Sequence, residues 1–208
     1  KKTPKPLILI NKTSLLEKLL NQITYQNYKN IFVSIHYMAH KFKKLSKKIY
    51  RKERISFIEE KKPLGTAGSI KFVKNKNKLP IVVINSDIIT NFDLKKILNF
   101  HNETKSKLTI VGKEMLYKNP FGVLLTSNNG TLEKIIEKPE SKFLVSAGIY
   151  VVNDEIKKFI YNNKKIDMDQ LISIAKSKKY KVSVYTPNDY WHEVGTKNSL
   201  FSFIDYMK

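Results

Sequence analysis

The sequence predicts an α/β fold built around a largely parallel sheet. Short apolar runs of strand length alternate with amphipathic helical stretches up to about residue 115, and this alternation is typical of a strand–helix–strand architecture. A hydrophobic share of 41% over 208 residues is enough to form a substantial core. We therefore expect a single α/β domain over residues 1–208, with a more antiparallel second half.

In the first half, helices and strands follow one another in a regular order. A helix over Ser14–Gln26 has its leucines on one face and Ser14 as its N-cap, and Asp93 is a second predicted N-cap. The turn Leu64–Gly68 opens a helix near Thr66–Val73. The predicted strands are Ile31–Ile35, Ile55–Glu59, Ile81–Asn85 and Leu108–Val111, and a basic helix spans Met38–Tyr50.

In the second half, short strands separated by turns replace the regular alternation. Strands are predicted at Gly122–Leu125, Leu132–Glu137, Leu144–Val152, Lys181–Tyr185 and Tyr190–Glu193, and helices at Asp154–Tyr161, Met168–Lys178 and Thr196–Met207. Met115–Pro120 and Pro139–Phe143 are expected to be loops that shape a substrate pocket.

The charge balance of 39 Lys and Arg against 18 Asp and Glu gives a net charge of +21. Such a field attracts polyanions such as nucleoside triphosphates. A nucleic-acid partner is not expected, because Arg51 and Arg54 are the only arginines and base recognition relies on arginine. The chain has no cysteine and no apolar run long enough to span a membrane, and we expect a cytoplasmic location without a membrane partner.

The segment Glu60–Gly68, EKKPLGTAG, contains a glycine-rich turn. Gly65 and Gly68 let the backbone turn tightly and approach a ligand closely. A helix that starts after such a turn points free N–H groups at an anion or a base edge. An ordinary strand-to-helix turn explains the same pattern, so both interpretations stay open.

Two carboxylates are candidate Mg²⁺ ligands. Asp87 follows an apolar strand, where open α/β sheets place their ligand sites, and Glu193 precedes a glycine turn. Mg²⁺ takes oxygen ligands and bridges to substrate phosphates. Asp167 and Asp169 form a further D-x-D string, which helix capping explains.

Two lysines stand out because each is next to a proline. Lys5 lies between Pro4 and Pro6, and Lys138 precedes Pro139. Proline restricts the neighbouring backbone and can hold an ammonium group where phosphate charge needs it.

Seven motifs in this order resemble the sugar-1-phosphate nucleotidylyltransferase family, in particular its mannose-1-phosphate guanylyltransferase-like branch. They are TPKPL at Thr3–Leu7, PLGTAG at Pro63–Gly68, INSD at Ile84–Asp87, PFGV at Pro120–Val123, EKP at Glu137–Pro139, SAGIYV at Ser146–Val151 and WHEVGT at Trp191–Thr196. The resemblance implies a Rossmann-like nucleotidyltransferase fold, three-layer α/β/α with a mixed, mostly parallel sheet. The nucleotide would bind in residues 1–115 and the sugar phosphate in residues 116–208.

The resemblance also implies a role for each matching residue. Lys5 would stabilise the triphosphate as pyrophosphate leaves, Glu60 would read the edge of the base, and Asp87 would be catalytic. The implied nucleotide contacts are Glu60, Leu64, Gly65, Thr66, Gly68 and Asp87; the implied Mg²⁺ ligands are Asp87 and Glu193; the implied sugar-phosphate contacts are Gly122, Glu137, Lys138, Ser146 and Gly148.

The implied reaction is in-line attack of a sugar 1-phosphate oxygen on the α-phosphate of a nucleoside triphosphate, with GTP favoured. The product would be a nucleotide sugar for cell-surface or glycan precursors. Homo-oligomers and an upstream regulatory CBS-domain pair occur in this branch. The family's GxGTRL loop and first strand would precede Lys1, so we expect residues 1–208 alone to be inactive or nearly so.

Two substitutions depart from the family pattern. Ser86 stands where glycine is usual, and Glu193 stands where aspartate is usual. Two other functions remain open. A glycosyltransferase of related fold would use Asp167 and Asp169 to bind its metal, and a degenerate regulatory subunit would bind sugar nucleotides without turnover.

Overall fold

Twelve strands and five α-helices form in the residues that the computed structural model describes, which are 3–26, 28, 30–46, 54–162 and 164–194. The strands are β1 (Leu9–Ile10), β2 (Thr13–Ser14), β3 (Ile31–Ile35), β4 (Ile55–Glu59), β5 (Ile81–Ile84), β6 (Ile88–Thr90), β7 (Leu108–Lys118), β8 (Val123–Thr126), β9 (Leu132–Ile136), β10 (Glu140–Val152), β11 (Val182–Tyr185) and β12 (Trp191–Glu193). The helices are α1 (Leu15–Tyr25), α2 (Ala39–Ser46), α3 (Gly65–Gly68), α4 (Leu94–Glu103) and α5 (Met168–Ser177), with 3-10 helices at Lys5–Leu7, Ser69–Phe72 and Asp154–Phe159.

The central sheet has four strands in the order β11–β7–β10–β5. Strand β10 is antiparallel to both β5 and β7, whereas β11 is parallel to β7. Three of the four strands therefore point the same way, and the mixed sheet predicted from the sequence is confirmed. A second pair, β3 with β4, is parallel.

Helices cover the central sheet on both faces. Successive residues of a strand point to opposite faces. Tyr150 and Val152 of β10 pack in one apolar cluster with Leu171 of α5, whereas Ile149 and Val151 pack in another with residues of α4. The sheet is thus the middle of three layers, as expected.

Most predicted elements are confirmed within a few residues. The serine N-cap of α1 accepts a hydrogen bond from the Glu17 N–H, and the aspartate N-cap of α4 accepts bonds from the N–H groups of Lys95 and Lys96. The helix expected near Thr66–Val73 is shorter and begins at Gly65, continuing as a 3-10 helix. The helix predicted at Thr196–Met207 lies outside the described residues.

The loops predicted at Met115–Pro120 and Pro139–Phe143 are mostly strand, so that prediction is wrong. Strands β7 and β10 pair antiparallel from Glu140 opposite Lys118 to Ser146 opposite Gly112. Hydrogen bonds between the two strands keep the backbone extended here. They do not depend on which residues along the strands are apolar. The two strands form a long ribbon that extends beyond the central sheet.

An apolar cavity of about 630 Å³ lies between β3 and β5. Its lining includes residues 31–34 of β3, residues 81–84 of β5, and side chains of α1 and α4. Within the part of the chain that the structure describes, β3 pairs only with β4, and β5 only with β10. One edge of each strand is therefore left without a neighbouring strand.

No helix in those same residues is long and apolar enough to cross a bilayer.

A buried histidine links α4 to the sheet. His101 is 1% exposed, and its two ring nitrogens contact the Thr109 hydroxyl at 2.8 Å and Asn153 Oδ1 at 2.9 Å. An amide oxygen only accepts, so Nε2 donates to it and Nδ1 accepts from Thr109. Burial lowers the pKa of His101 below its usual value of 6.5.

We expect the free energy of unfolding to fall as the pH drops below 6.5. In the unfolded chain His101 is protonated near that pH, whereas in the folded protein it resists protonation. Acid therefore favours unfolding. This contribution is fully present above 6.5 and is lost as the pH falls toward the lowered pKa. Urea unfolding between pH 5 and pH 8 measures this contribution. His101→Gln should reduce the slope of the free energy of unfolding against pH. Equal slopes in the two proteins would show that another group is responsible.

Candidate active site at the end of strand β5

The candidate site lies where β5 ends beside an irregularity in β10. The pairing of β10 with β7 shifts between Ser146 and Tyr150, which marks a bulge. Gly148 in this bulge has φ +73°, and its carbonyl accepts a hydrogen bond from the Asn85 N–H at 2.8 Å. A Cβ on Gly148 would lie 2.9 Å from Asn85 Nδ2, so this position requires glycine. The bulge is thereby fixed against Asn85.

Strand β12 brings a distant part of the chain to the same place. Glu193 of β12 is opposite Ile88 of β6, and the Val194 N–H donates to the Asp87 carbonyl at 2.7 Å. The indole N–H of Trp191 donates to the Ala147 carbonyl at 2.8 Å. The structure thus brings β12 and the β10 bulge to residues 85–88, while a site shared by the carboxylates of Asp87 and Glu193 stays a prediction.

The two carboxylates suit Mg²⁺ by the chemistry of their donors. Asp87 is half-buried and Glu193 is exposed. No ion pair involves either residue within the described ranges, and no group of three or more His, Cys, Asp or Glu side chains forms a closed metal site there. Mg²⁺ is usually held by one or two carboxylates together with substrate phosphates. Asp87 and Glu193 offer the oxygen donors that this mode needs, and their joint contact with Mg²⁺ stays a prediction.

Ser146 is positioned by a buried tyrosine. The hydroxyls of Ser146 and Tyr150 are 2.9 Å apart, and the Gly148 N–H also lies 3.4 Å from Ser146 Oγ. Tyr150 is 8% exposed. A hydroxyl held in this way presents its remaining hydrogen-bonding capacity in a fixed direction.

The glycine-rich turn is bound to the segment that leads into α5. Thr66 N–H donates to Asp167 Oδ1 at 2.9 Å, and the Thr66 hydroxyl accepts from the Met168 N–H at 2.8 Å. Gly65 has φ +80°, and a Cβ there would lie 2.5 Å from the Ile166 carbonyl oxygen. Packing therefore explains why Gly65 is glycine, while its predicted contact with a base stays a prediction.

Asp167 acts in this structure as a helix cap. Its side chain accepts the Thr66 N–H, and its own N–H donates to Gln170 Oε1 at 2.9 Å. The hydrogen bond from Thr66, with a contribution from Lys165, keeps the pKa of Asp167 below its usual value of 3.8. These contacts favour the capping interpretation over the D-x-D metal site of a glycosyltransferase.

Glu60 braces the start of the same turn. Its Oε1 accepts from the Ser34 hydroxyl at 2.5 Å, and its Oε2 accepts from the Leu64 N–H at 2.9 Å. Each carboxylate oxygen can accept a second hydrogen bond. The carboxylate is thus held in one orientation and keeps accepting capacity for a ligand.

Three of the predicted sugar-phosphate residues lie at the base of the β8–β9 hairpin. A Cβ on Gly122 would be 3.1 Å from Glu137 Oε2, so these two residues are neighbours. Lys138 has φ +42°, and its Nζ is 4.0 Å from Glu137 Oε1. Both charged side chains are more than half exposed, which leaves them accessible to a ligand.

Lys5 lies in the first 3-10 helix with an exposed side chain. Leu7 of this helix packs against the apolar cluster around Leu16 and Ile31. The N-terminal segment therefore sits beside α1 and β3. The predicted role of Lys5 toward a triphosphate stays a prediction.

Sequence reasoning missed the residues that position the site. Ser34, Asn85 and Trp191 each make one of the hydrogen bonds described above. Trp191 is the only tryptophan of the chain and adjoins the predicted ligand Glu193, which was a usable signal. Asn85 lies within the INSD motif, two residues before Asp87, and gave a similar signal, whereas Ser34 gave none because its contact with Glu60 joins residues distant in sequence.

Comparison with known proteins identifies the family. Residues 1–207 match the family model described as nucleotidyl transferase. The chain belongs to this nucleotidyl transferase family. Its sequence is 28% identical over 210 residues to mannose-1-phosphate guanyltransferase of Pichia angusta, covering 96% of the chain and 57% of that protein. It is 30% identical over 162 residues to mannose-1-phosphate guanylyltransferase catalytic subunit beta of Drosophila melanogaster, covering 74% and 44%.

The chain spans about half the length of these curated relatives. Among solved structures, it resembles HddC from Yersinia pseudotuberculosis with a TM-score of 0.76 and 23% identity, covering 99% of the chain and 91% of HddC. HddC complexed with GMP-PN gives a TM-score of 0.73 and 22% identity, covering 100% and 92%. These likenesses show that the chain has the fold of HddC.

Proposed function

We propose that the protein transfers a guanylyl group from GTP to a sugar 1-phosphate and releases pyrophosphate. The observation that supports this most directly is the family match over residues 1–207, together with relatives named as mannose-1-phosphate guanyltransferases. Those names make mannose 1-phosphate the first acceptor to test. An oxygen of the sugar phosphate would attack the α-phosphorus of GTP, and the bond to the β-phosphate would break.

The nucleotide would bind along the glycine-rich turn. Glu60 is held by Ser34 and Leu64, and guanine offers two adjacent donors, N1–H and the exocyclic amine, that a fixed carboxylate could accept. Uracil and thymine lack that pair of donors. Gly65, Thr66 and Gly68 would support the ring from the turn itself. Lys5 would contribute positive charge to the triphosphate.

Asp87 and Glu193 would hold Mg²⁺, which neutralises charge on the triphosphate when bound. The backbone hydrogen bond from the Val194 N–H to the Asp87 carbonyl holds together the two chain segments that carry these residues. The longer side chain of Glu193, in place of aspartate, would extend further toward the ion. This arrangement aligns the reactants and needs no protein nucleophile.

The sugar phosphate would bind between the β10 bulge and the base of the hairpin. Ser146 and Gly148 would line the sugar, with the Ser146 hydroxyl held by Tyr150 and the Gly148 carbonyl held by the Asn85 N–H. Glu137 would accept from sugar hydroxyls, and Lys138 would contact the phosphate. Gly122 would allow the sugar to approach the hairpin closely.

The cavity between β3 and β5 would hold one further strand. Backbone groups along the two unpaired edges need hydrogen-bond partners, and the lining is apolar like a sheet interior. Ser86, the residue before Asp87, also lines this slot.

Pyrophosphate release from GTP and mannose 1-phosphate tests the proposal. We expect the full-length protein to release pyrophosphate from these two substrates. GTP should be preferred over UTP and dTTP, and Glu60→Gln should raise the KM for GTP by about tenfold. Ser34→Ala is the matched control, since it removes a brace but leaves both acceptor oxygens. Turnover of UTP with GTP ignored would refute the guanylyl assignment.

A further inference from the structure

Glu60 is held by hydrogen bonds at four separate atoms. Its N–H donates to the Ile35 carbonyl at 2.8 Å, and its own carbonyl oxygen is 2.7 Å from His36 Nδ1. The Ser34 hydroxyl and the Leu64 N–H donate to its two carboxylate oxygens. A carbonyl oxygen only accepts, so Nδ1 of the imidazole carries a proton and donates it. Three successive residues of the chain thus bind one glutamate.

His36 extends the contact between the ends of β3 and β4. Strand β3 ends at Ile35, and the Glu60 N–H continues the parallel ladder by one bond. The next acceptor, the Glu60 carbonyl, receives an imidazole N–H where a longer strand would supply a backbone N–H. Ser34 and His36 are two residues apart, the spacing that puts side chains on the same face of a strand. One face of β3 therefore binds both the carboxylate and the carbonyl of the same residue.

The carboxylate of Glu60 has no cation beside it. In the described part of the chain Glu60 forms no ion pair, although lysine and arginine outnumber aspartate and glutamate by 39 to 18. The two groups that bind its oxygens, a hydroxyl and a backbone N–H, are both neutral. Fixing a glutamate side chain costs conformational entropy. A carboxylate that is ordered at that cost and keeps its charge is suited to accept hydrogen bonds from a ligand.

We propose that His36 is a positioning residue for guanine recognition, which acts through Glu60 and rests on the proposed function. By binding the Glu60 carbonyl, the imidazole fixes the backbone from which both carboxylate oxygens extend. The two oxygens then meet N1–H and the exocyclic amine of guanine together. Ser34 has a smaller part, because its loss frees one acceptor position, whereas loss of the imidazole releases the backbone. Order that exists before binding raises affinity, since less has to be fixed when the ligand arrives.

The preference for GTP over inosine triphosphate measures this positioning in the full-length protein. Hypoxanthine has the N1–H of guanine but lacks the exocyclic amine, so the preference reports the second of the two hydrogen bonds. We expect the wild type to prefer GTP by about tenfold in kcat/KM, and His36→Ala to reduce that preference to about twofold or less. The kcat and the KM for the sugar 1-phosphate should be unchanged.

His36→Asn should restore the preference. Its amide places an N–H as far along the side chain as Nδ1, so the Glu60 carbonyl keeps its donor. His40→Ala is the matched control, because His40 is also exposed and lies four residues away in α2, and it should keep the wild-type preference. In a Glu60→Gln background, His36→Ala should have no further effect, because the carboxylate through which it acts is already gone.

Amide hydrogen exchange of the protein without nucleotide gives a readout that does not depend on catalysis. The Leu64 N–H is bound by Glu60 Oε2, so a less ordered glutamate protects it less. We expect this amide to exchange faster by about fivefold in His36→Ala and at the wild-type rate in His36→Asn and His40→Ala. Far-UV circular dichroism verifies folding, which a change at the exposed His36 should not affect.

The failures of the two proposals are distinguishable. Turnover of UTP with GTP ignored refutes the proposed function, and the role of His36 in guanine recognition falls with it. If the protein uses GTP and His36→Ala keeps the wild-type preference over inosine triphosphate, this inference alone is overturned. Unchanged exchange at Leu64 in His36→Ala overturns it as well, and so does a full effect of His36→Ala in the Glu60→Gln background.

Discussion

Replacing Gly65 with alanine is expected to lower the free energy of unfolding by about 3 kcal/mol. Two effects add at this position. Its φ of +80° is strained for any residue with a Cβ, at about 1–2 kcal/mol. The added Cβ would also lie 2.5 Å from the Ile166 carbonyl oxygen, and backbone must move to relieve that contact, at about 1–3 kcal/mol.

Gly130→Ala is the matched control for this prediction. Gly130 has φ +82°, but a Cβ there would meet no atom within 4 Å. Gly130→Ala should therefore lower the free energy of unfolding only by the cost of the backbone strain, about 1–2 kcal/mol. Urea unfolding of both variants isolates the contact with Ile166 as the difference. Equal losses would contradict the packing of the turn against the segment before α5.

The same pair of variants separates the two interpretations of the glycine-rich turn. If Gly65 also lies against the guanine ring, Gly65→Ala should raise the KM for GTP under conditions in which the variant remains folded. Packing alone predicts a stability loss with an unchanged KM. The sequence alone leaves both interpretations open. The structure gives a packing reason for glycine at position 65, and the contact with guanine stays a prediction.

Local signals account for what the sequence predicted well. Ser14 and Asp93 cap the helices expected of them, because capping depends on residues three positions apart or fewer. Strands β3 and β4 occupy the predicted bounds, since each is a short apolar run between polar segments. The resemblance also implies that Asp87 and Glu193 share a site; β12 pairs Glu193 with Ile88, the residue after Asp87, and the shared site itself stays a prediction.

Long-range pairing accounts for what the sequence did not predict. The outer halves of β7 and β10 looked like loops because three apolar residues run together at Met115–Tyr117, without the alternation of a half-buried strand. Their extended form comes from each other's hydrogen bonds, over about 25 residues of intervening chain. Likewise, no local pattern could show that Trp191 would hold the bulge at Ala147.

Asp87→Asn is expected to reduce kcat for pyrophosphate release by about 10²-fold or more in the whole protein. Asparagine keeps the size of the side chain and leaves the backbone hydrogen bond from Val194 to Asp87 in place, so the fold should be retained. What is lost is the negative charge that would hold Mg²⁺ against the triphosphate. The Mg²⁺ concentration for half-maximal activity should therefore rise as well, which a merely structural role would not cause.

Asp93→Asn provides the control for that variant, because it removes the same charge six residues away. Asparagine caps helices about as well as aspartate, so α4 should remain stable and kcat should be unchanged. Glu193→Gln should resemble Asp87→Asn in its Mg²⁺ dependence, since both carboxylates would contact the same ion. If Asp87→Asn retained wild-type kcat and Mg²⁺ dependence, the end of β5 would not be the reaction centre. The convergence of β5, β6, β12 and the β10 bulge would then serve stability alone.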